Sequence, residues 1–517
     1  MEDEFLDRRS ILRYSCGLGL LAALHDRVFF PPAFAAGGDP PNAGFVAESV
    51  KDLAQKLATS DYVKPAIDLP EPFNKLSYDQ YRDIRFRADH AIWHGEKLDF
   101  EIQLFPVGWL YDMPVDIALI DQGAVTALKA DNNLFSLGPL IGKGPDTAPF
   151  GFSGFRVHGP INRADYLDEY VVFQGASYLR SVGRGQNYGA SARGLAINTG
   201  KPAGEEFPFF RAFWIEKPKA GSATLIVHAL LDSPSTTGAY RFSIQPGETT
   251  VMDVEATLYP RKNIQFAGIA PLTSMFLHGP ADRSRFNDFR PEVHDSGGLA
   301  VLNGSNERLW RPLINPKTLQ TSAFLDKDPK GFGLCQRDRS FHDYEDLEGH
   351  YEHRPTIWVE PKGSWGEGVI ELLEIPVEDE IHDNVVVYWK PAKGLEAGGP
   401  HAFQYRLHWG DQIPAAWSGA RVAKTRIGSA KKPGMILFIL DFDGPAVKEL
   451  RDLPVAVLSA TAGAVTNVVV QRNSEIPGIR VAFELNPSGA ELVELRLALK
   501  AGDQMISENW LYRWTKP

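Results

Sequence analysis

An all-β fold of large antiparallel sheets packed face to face is what this sequence predicts, and three observations predict it. Forty-seven glycines and thirty-seven prolines supply the turns that many short strands require. Runs rich in β-branched and aromatic residues recur, among them DEYVVFQGASYLRSV, ATLIVHALLDS, YRFSIQP and TVMDVEATLYP, each bounded by Gly, Pro, Asn or Asp. No strand–helix rhythm runs along the chain, which argues against a doubly wound α/β sheet.

Taken in order, residues 1–35 read as an export signal rather than as fold. Asp7-Arg8-Arg9-Ser10-Ile11-Leu12-Arg13 resembles the twin-arginine pattern. The apolar run CGLGLLAAL that follows is too short to span a bilayer, and Ala33-Phe34-Ala35 offers a cleavage site. The main domain is expected over residues 42–389. Its opening stretch ESVKDLAQKLAT places Val50, Leu53, Ala54 and Leu57 at helical spacing, and residues 77–84 suggest a second short helix. The segment KPAKGLEAGGP, residues 390–400, has the composition of a linker. Residues 401–517 then read as a small immunoglobulin-like sandwich, built from AFQYRLHW, MILFILDF, TNVVVQR, IRVAFEL, AELVELRLALK and SENWLYRW.

At 517 residues the chain has ample length for a buried core, and its 44% hydrophobic content fits a well-packed protein. A net charge of −11 argues against nucleic acid as a partner. No stretch outside the signal approaches eighteen uninterrupted apolar residues, so stable membrane insertion is not expected. Cleavage would remove Cys16 and leave Cys335 alone, which excludes an intramolecular disulfide. Cys335 lies in the apolar run GFGLC and reads as a buried, inert thiol.

The stretch most suggestive of chemistry is residues 351–389. Trp358, Trp365 and Trp389 put three of eleven tryptophans within thirty-two residues. Flat apolar rings can cover the C–H faces of sugars while polar neighbours bind the hydroxyls. The run VEDEIHDN sets Glu378, Asp379, Glu380 and Asp383 before the strand-like VVVYW, where a carboxylate can project into a cleft from a fixed backbone. The competing reading is that such acids are solvated turn residues and such tryptophans are core. Other motifs fail. GRGQNYG at 183–189 has the wrong spacing for a dinucleotide loop, and neither G-x-S-x-G nor a Walker loop occurs. His342, Asp343, His350 and His353 lack the usual helix-borne metal spacings, so neither metal nor cofactor is expected.

A series of phrases in one order carries a resemblance. They include GFSGFRVHGPINR, GASYLRSVGRGQNYGASARGLAI, EEFPFFRAFWIEKP, ALLDSPSTTGAYRF, APLTSMF, VHDSGGL, DPKGFGLCQRDRSF, RPTIWVEPKGSWGEG, LLEIP and AFQYRLHW. Together they resemble the periplasmic glucan biosynthesis proteins G and D, from about Tyr81 to the C-terminus, and the twin-arginine pattern resembles the D branch. The resemblance implies a galactose-mutarotase-like main sandwich and a periplasmic role in making β-1,2-linked glucans. It also implies an inverting endo-β-1,2-glucanase or a related transglycosylase, with a non-catalytic protein that shepherds nascent glucan as the rival reading. By the same resemblance Asp383 is the general acid, Asp295 of H-D-S the base, and Tyr351 a cleft residue. Arg354, Trp358, Trp365 and Trp389 join Tyr351 as candidate substrate contacts. Alternation along VVVYW means Tyr388 and Trp389 face opposite sides. The partners implied are β-1,2-glucan and the twin-arginine export machinery, and a homodimer stays open. One departure stands out: ARVAKTRIG runs almost directly into MILFIL, without the long aromatic loop of the hydrolytic D type.

Overall fold

The computed structural model describes residues 45, 47–142, 151–414 and 417–516. The export signal and Cys16 lie outside the described residues. Among the described residues no helix is long and apolar enough to cross a membrane. Two sheets, one of ten strands and one of fifteen, dominate the molecule. Their inner faces meet in one core, because the strands alternate with period two. Along Thr250–Pro260, for example, Met252, Val254, Ala256 and Leu258 enter the core while the residues between them are half-buried. Aromatic rings from both sheets interlock there: Phe155 and Phe173 stack at 5.1 Å, and Phe213 and Phe242 meet Phe173 edge-on. Each such side chain contributes roughly 1.5–3 kcal/mol by burial.

Phe209–Glu216 is buried on both faces, since its outer side is capped by the helix Ala47–Ala58. Val50 and Ala54 pack on Ala118, Ala212, Trp214 and Leu230, with Leu53 and Leu57 beside them, as the helical spacing anticipates. The second helix is shorter than its pattern, Tyr78–Arg82, capped by Ser77 and Gln80. It stops because Ile84 pairs with Leu137 in a two-stranded sheet.

The boundary expected at residue 401 is corrected by the strand pairing. His401–Gly410 lies inside the fifteen-stranded sheet, antiparallel to Thr250–Pro260 on one side and Thr356–Lys362 on the other. Residues 390–400 therefore cross from the ten-stranded sheet, which holds Val385–Pro391, to the fifteen-stranded one. The crossing is pinned, with Leu395 buried and exchanging backbone hydrogen bonds of 2.8 and 2.9 Å with Ile264. A strand signal is local, whereas its pairing partner is not, so the Pro/Gly composition could not distinguish a crossover from a linker.

After Gly410 the chain builds the smaller sandwich. Arg421–Ser429, Ile436–Asp443, Gly478–Asn486 and Ala464–Asn473 form a four-stranded sheet. It packs through Phe438, Phe483, Leu495, Leu497 and Trp510 on Leu492–Ala501 and Asn509–Thr515. Asn509–Thr515 runs parallel to Arg308–Pro312, so the fifteen-stranded sheet continues from the main sandwich into the small one. Cys335 sits at this junction, and burial pushes its thiol up to about 12, which leaves it protonated and inert.

Candidate active site

Asp383 and Asp295 depend on the same short stretch of backbone, residues 274–276 at the end of Ala267–Ser274. Asn384, fully buried, donates its backbone N–H to the Ser274 carbonyl at 3.0 Å. Its side-chain oxygen accepts the Phe276 N–H at 2.8 Å, and its amide donates to the Phe276 and Ile375 carbonyls at 2.9 and 3.0 Å. Replacing that amide would leave buried backbone groups unpaired, at about 1–3 kcal/mol each. Asp383, the preceding residue, is thereby held at the entrance of Val385–Pro391. On the other side the Asp295 N–H donates to the Met275 carbonyl at 2.9 Å, and Ser274 and Ser296 share a hydroxyl hydrogen bond of 2.9 Å. One β-strand end thus fixes both carboxylates.

Their surroundings differ. Asp383 Oδ2 lies 3.8 Å from Arg180 Nη2, and Arg180 is itself oriented by donating from Nε to Ser191 Oγ at 2.6 Å. Asp295 is 8% exposed, with Oδ1 3.5 Å from Arg354 Nε. Burial pushes the Asp295 carboxyl up to about 6; Arg354 opposes the rise, and the negative charge of Asp383 adds to it.

Tyr351 and Arg354 border the 3-10 turn Tyr351–His353, and the Arg354 guanidinium lies 5.2 Å from the centre of the Tyr351 ring. Burial first, then Glu380 and Asp295, raise the Tyr351 hydroxyl above the ordinary phenol range. Gln336 ties this turn to the H-D-S segment by donating to the His294 and Tyr351 carbonyls at 2.9 and 3.2 Å. The GRGQNYGA phrase packs against it: the Asn187 N–H donates to the His353 carbonyl at 3.0 Å. A Cβ on Gly189 would stand 3.1 Å from Arg354 Cβ, so glycine there permits the close approach. In the VEDEIHDN loop, Glu380 pairs with Arg290 at 2.7 Å, and Asp379 accepts the Ile381 N–H at 3.1 Å as an ordinary turn residue.

Four site expectations thus come together: Asp383, Asp295, Tyr351 and Arg354. The three tryptophans do not. Trp358, Trp365 and Trp389 are 2%, 7% and 0% exposed and present no ring face to a ligand. Trp358 belongs to the core joining the two sandwiches, and Trp389 packs near Trp365 in the main core. Trp365 donates its indole N–H to the Gln404 carbonyl at 3.3 Å. Tyr388 does face the side opposite Trp389, where its buried hydroxyl donates to Glu371 at 2.8 Å.

Residues 45–514 match the family described as periplasmic glucan biosynthesis protein, MdoG. The chain belongs to that family. It is 50% identical over 479 residues to glucans biosynthesis protein G of Shewanella frigidimarina, covering 92% of this chain and 85% of the relative. It is 47% identical over 511 residues to the protein of that name from Bradyrhizobium diazoefficiens, 99% of this chain and all of the relative. A Vibrio cholerae protein G is 49% identical over 474 residues, 91% of this chain and 87% of the relative. These relatives carry the G name.

Within this family member, Arg180 and Arg193 are the polar residues that sequence reasoning missed. Leu179 and Ala192 enter the core, so their neighbours Arg180, Ser191 and Arg193 must stand on the outer face of the ten-stranded sheet. Arg193 is buried there, 2.6 Å from Glu205 and donating to Thr273 Oγ1 at 2.9 Å. The alternation in SYLRS and SARG was the available signal. It identifies the outward side chains but not what lies above them.

Proposed function

We propose that this chain is a periplasmic enzyme acting on β-1,2-glucan with inversion at the anomeric carbon, by hydrolysis or by transfer. The observation that carries this reading is the shared anchoring of Asp383 and Asp295 on residues 274–276. Inversion requires one carboxylic acid and one carboxylate held in fixed relation. Asp383 gives its proton to the departing glycosidic oxygen as the C–O bond breaks. Asp295 receives the proton of the attacking oxygen, directly or through a bound water or sugar hydroxyl. A carboxyl that burial holds near 6 serves either role, keeping a proton more readily than an ordinary Asp and, once ionised, remaining basic enough to take one; the assignment of acid to Asp383 and base to Asp295 follows the family resemblance. Arg354 and Tyr351 border the base, and Arg180 borders the acid.

The tight turn between Arg421–Ser429 and Ile436–Asp443, closed by the Ala430 N–H on the Met435 carbonyl at 3.0 Å, favours transfer as an outcome beside hydrolysis. No long loop extends there to order an attacking water. The second reading is a non-catalytic glucan-binding protein, favoured by the relatives' names, which speak of biosynthesis. Incubation with linear β-1,2-glucan followed by mass spectrometry separates the readings. Shortened linear chains signify hydrolysis, and rings lighter by one water than the linear chain of equal length signify transfer. Unchanged polymer at high protein concentration, with measurable binding, would replace the enzyme by the binding protein.

A further inference from the structure

Two clusters of metal-ligand side chains lie beside the carboxylate pair. In one, Glu292, His294 and Asp338 bring ligand atoms within 4.8 Å of one another. The chain already supplies the cation there. Lys424 Nζ, from Arg421–Ser429, lies 2.5 Å from Glu292, 2.9 Å from Asp338 and 3.0 Å from Asp343. An ammonium among three carboxylates meets the charge requirement of that cluster.

The other cluster, His350, Glu352 and His353, also has its ligand atoms within 4.8 Å, and among the described residues no lysine or arginine pairs with its carboxylate. Among the described residues the ion-pair partners of Glu352 are the two imidazoles: His350 Nδ1 at 2.9 Å and His353 Nε2 at 3.7 Å, both from Oε1. Glu352 is nevertheless 7% exposed, and its Oε2 has no hydrogen-bond partner. A buried carboxylate without a firm counter-charge is costly. A divalent ion would meet the deficit.

The spacing suits one. Two ligands each about 2.0–2.1 Å from a tetrahedral ion stand roughly 3.3–3.4 Å apart, and the two printed separations bracket that distance. Two imidazoles and a carboxylate are a zinc-class donor set that leaves a coordination position open. The imidazoles are 37% and 53% exposed and leave a path for entry. We propose that His350, Glu352 and His353 form a binding site for a zinc-class divalent cation, on the turn that carries Tyr351 and leads into Arg354. The ion would stiffen that turn from behind. The site stands independently of the glucan reading.

The test uses the full exported chain, purified without a histidine tag and stripped with a chelator. Zinc is titrated in competition with a chromophoric chelator. One zinc per chain is expected, with affinity at least about tenfold weaker in both His353→Ala and Glu352→Gln. His342→Ala, in the adjoining helix Phe341–Tyr344, should bind as the parent does. Zinc should also raise the melting temperature of the parent and not that of the two ligand variants. Should Glu352→Gln fail to fold, the exposed His353→Ala carries the test alone. The proposal is overturned if the parent takes up no stoichiometric zinc, if His353→Ala binds as tightly as the parent, or if His342→Ala loses as much.

Discussion

Two patches on the outer faces of the large sheets contrast, although the inner faces share one core. On the fifteen-stranded sheet Ala118, Ala212, Trp214 and Leu230 form an apolar patch, and the helix Ala47–Ala58 covers it. On the ten-stranded sheet one patch holds Arg180, Ser191, Arg193, Thr273 and Glu371, matched to one another and to loop residues such as Glu205 and Asp383, beside an apolar cluster of Ala196, Leu373, Val386 and Tyr388. An apolar face is satisfied by any packed helix. A face of charged and hydroxyl groups is costly to cover unless each group finds a partner. The candidate carboxylates stand at the edge of this polar patch.

Mutation can break this contrast. The largest effect expected is Asp383→Asn on the polar side: turnover of glucan should fall about 10³–10⁴-fold, because an amide cannot deliver the proton. Binding should stay within a few-fold, and wild-type turnover would remove Asp383 from the mechanism. On the apolar side Trp214→Ala should lower stability by about 3–5 kcal/mol in denaturant unfolding, with turnover per folded molecule unchanged. A loss of turnover with stability intact would show that the helix-covered face is no mere packing surface.

Asp295→Asn should be intermediate, and it carries a pH signature. Its folded carboxyl stands at about 6 against an ordinary 3.8, so the folded state disfavours ionisation. That penalty is absent below about pH 4, grows as pH rises through 6 and is complete above it. Asn should stabilise the protein by about 1–3 kcal/mol at pH 8 and by nearly nothing at pH 4, allowing for partial exposure. In the parent, kcat/KM should titrate across pH 5–7, rising with Asp295 as the base and falling with it as the acid. A stability difference independent of pH would contradict the burial argument. The smallest effect is expected of Trp365→Phe: KM within about twofold and stability lower by about 1 kcal/mol, as for a core ring with one backbone hydrogen bond. A large rise in KM would return Trp365 to the cleft.

Much of the fold was legible from residues alone, whereas the pair of candidate carboxylates was named by the family resemblance. Runs of β-branched and aromatic residues bounded by turn residues marked Thr250–Pro260 and its neighbours, and 3.6-residue spacing marked Val50, Leu53, Ala54 and Leu57. The ordered phrases around H-D-S and H-D-N singled out Asp295 and Asp383, and the chain's own residues bring them to one anchor. Only the tertiary structure decided what each face meets. Alternation could set Tyr388 and Trp389 on opposite sides, but not bury both. It could not seat His401–Gly410 between Thr250–Pro260 and Thr356–Lys362, or bring Lys424 from the small sandwich into the acids of the large one. Local periodicity is written into consecutive residues, whereas pairing and cover arise from segments distant along the chain, whose encounter depends on how the whole chain fills its core.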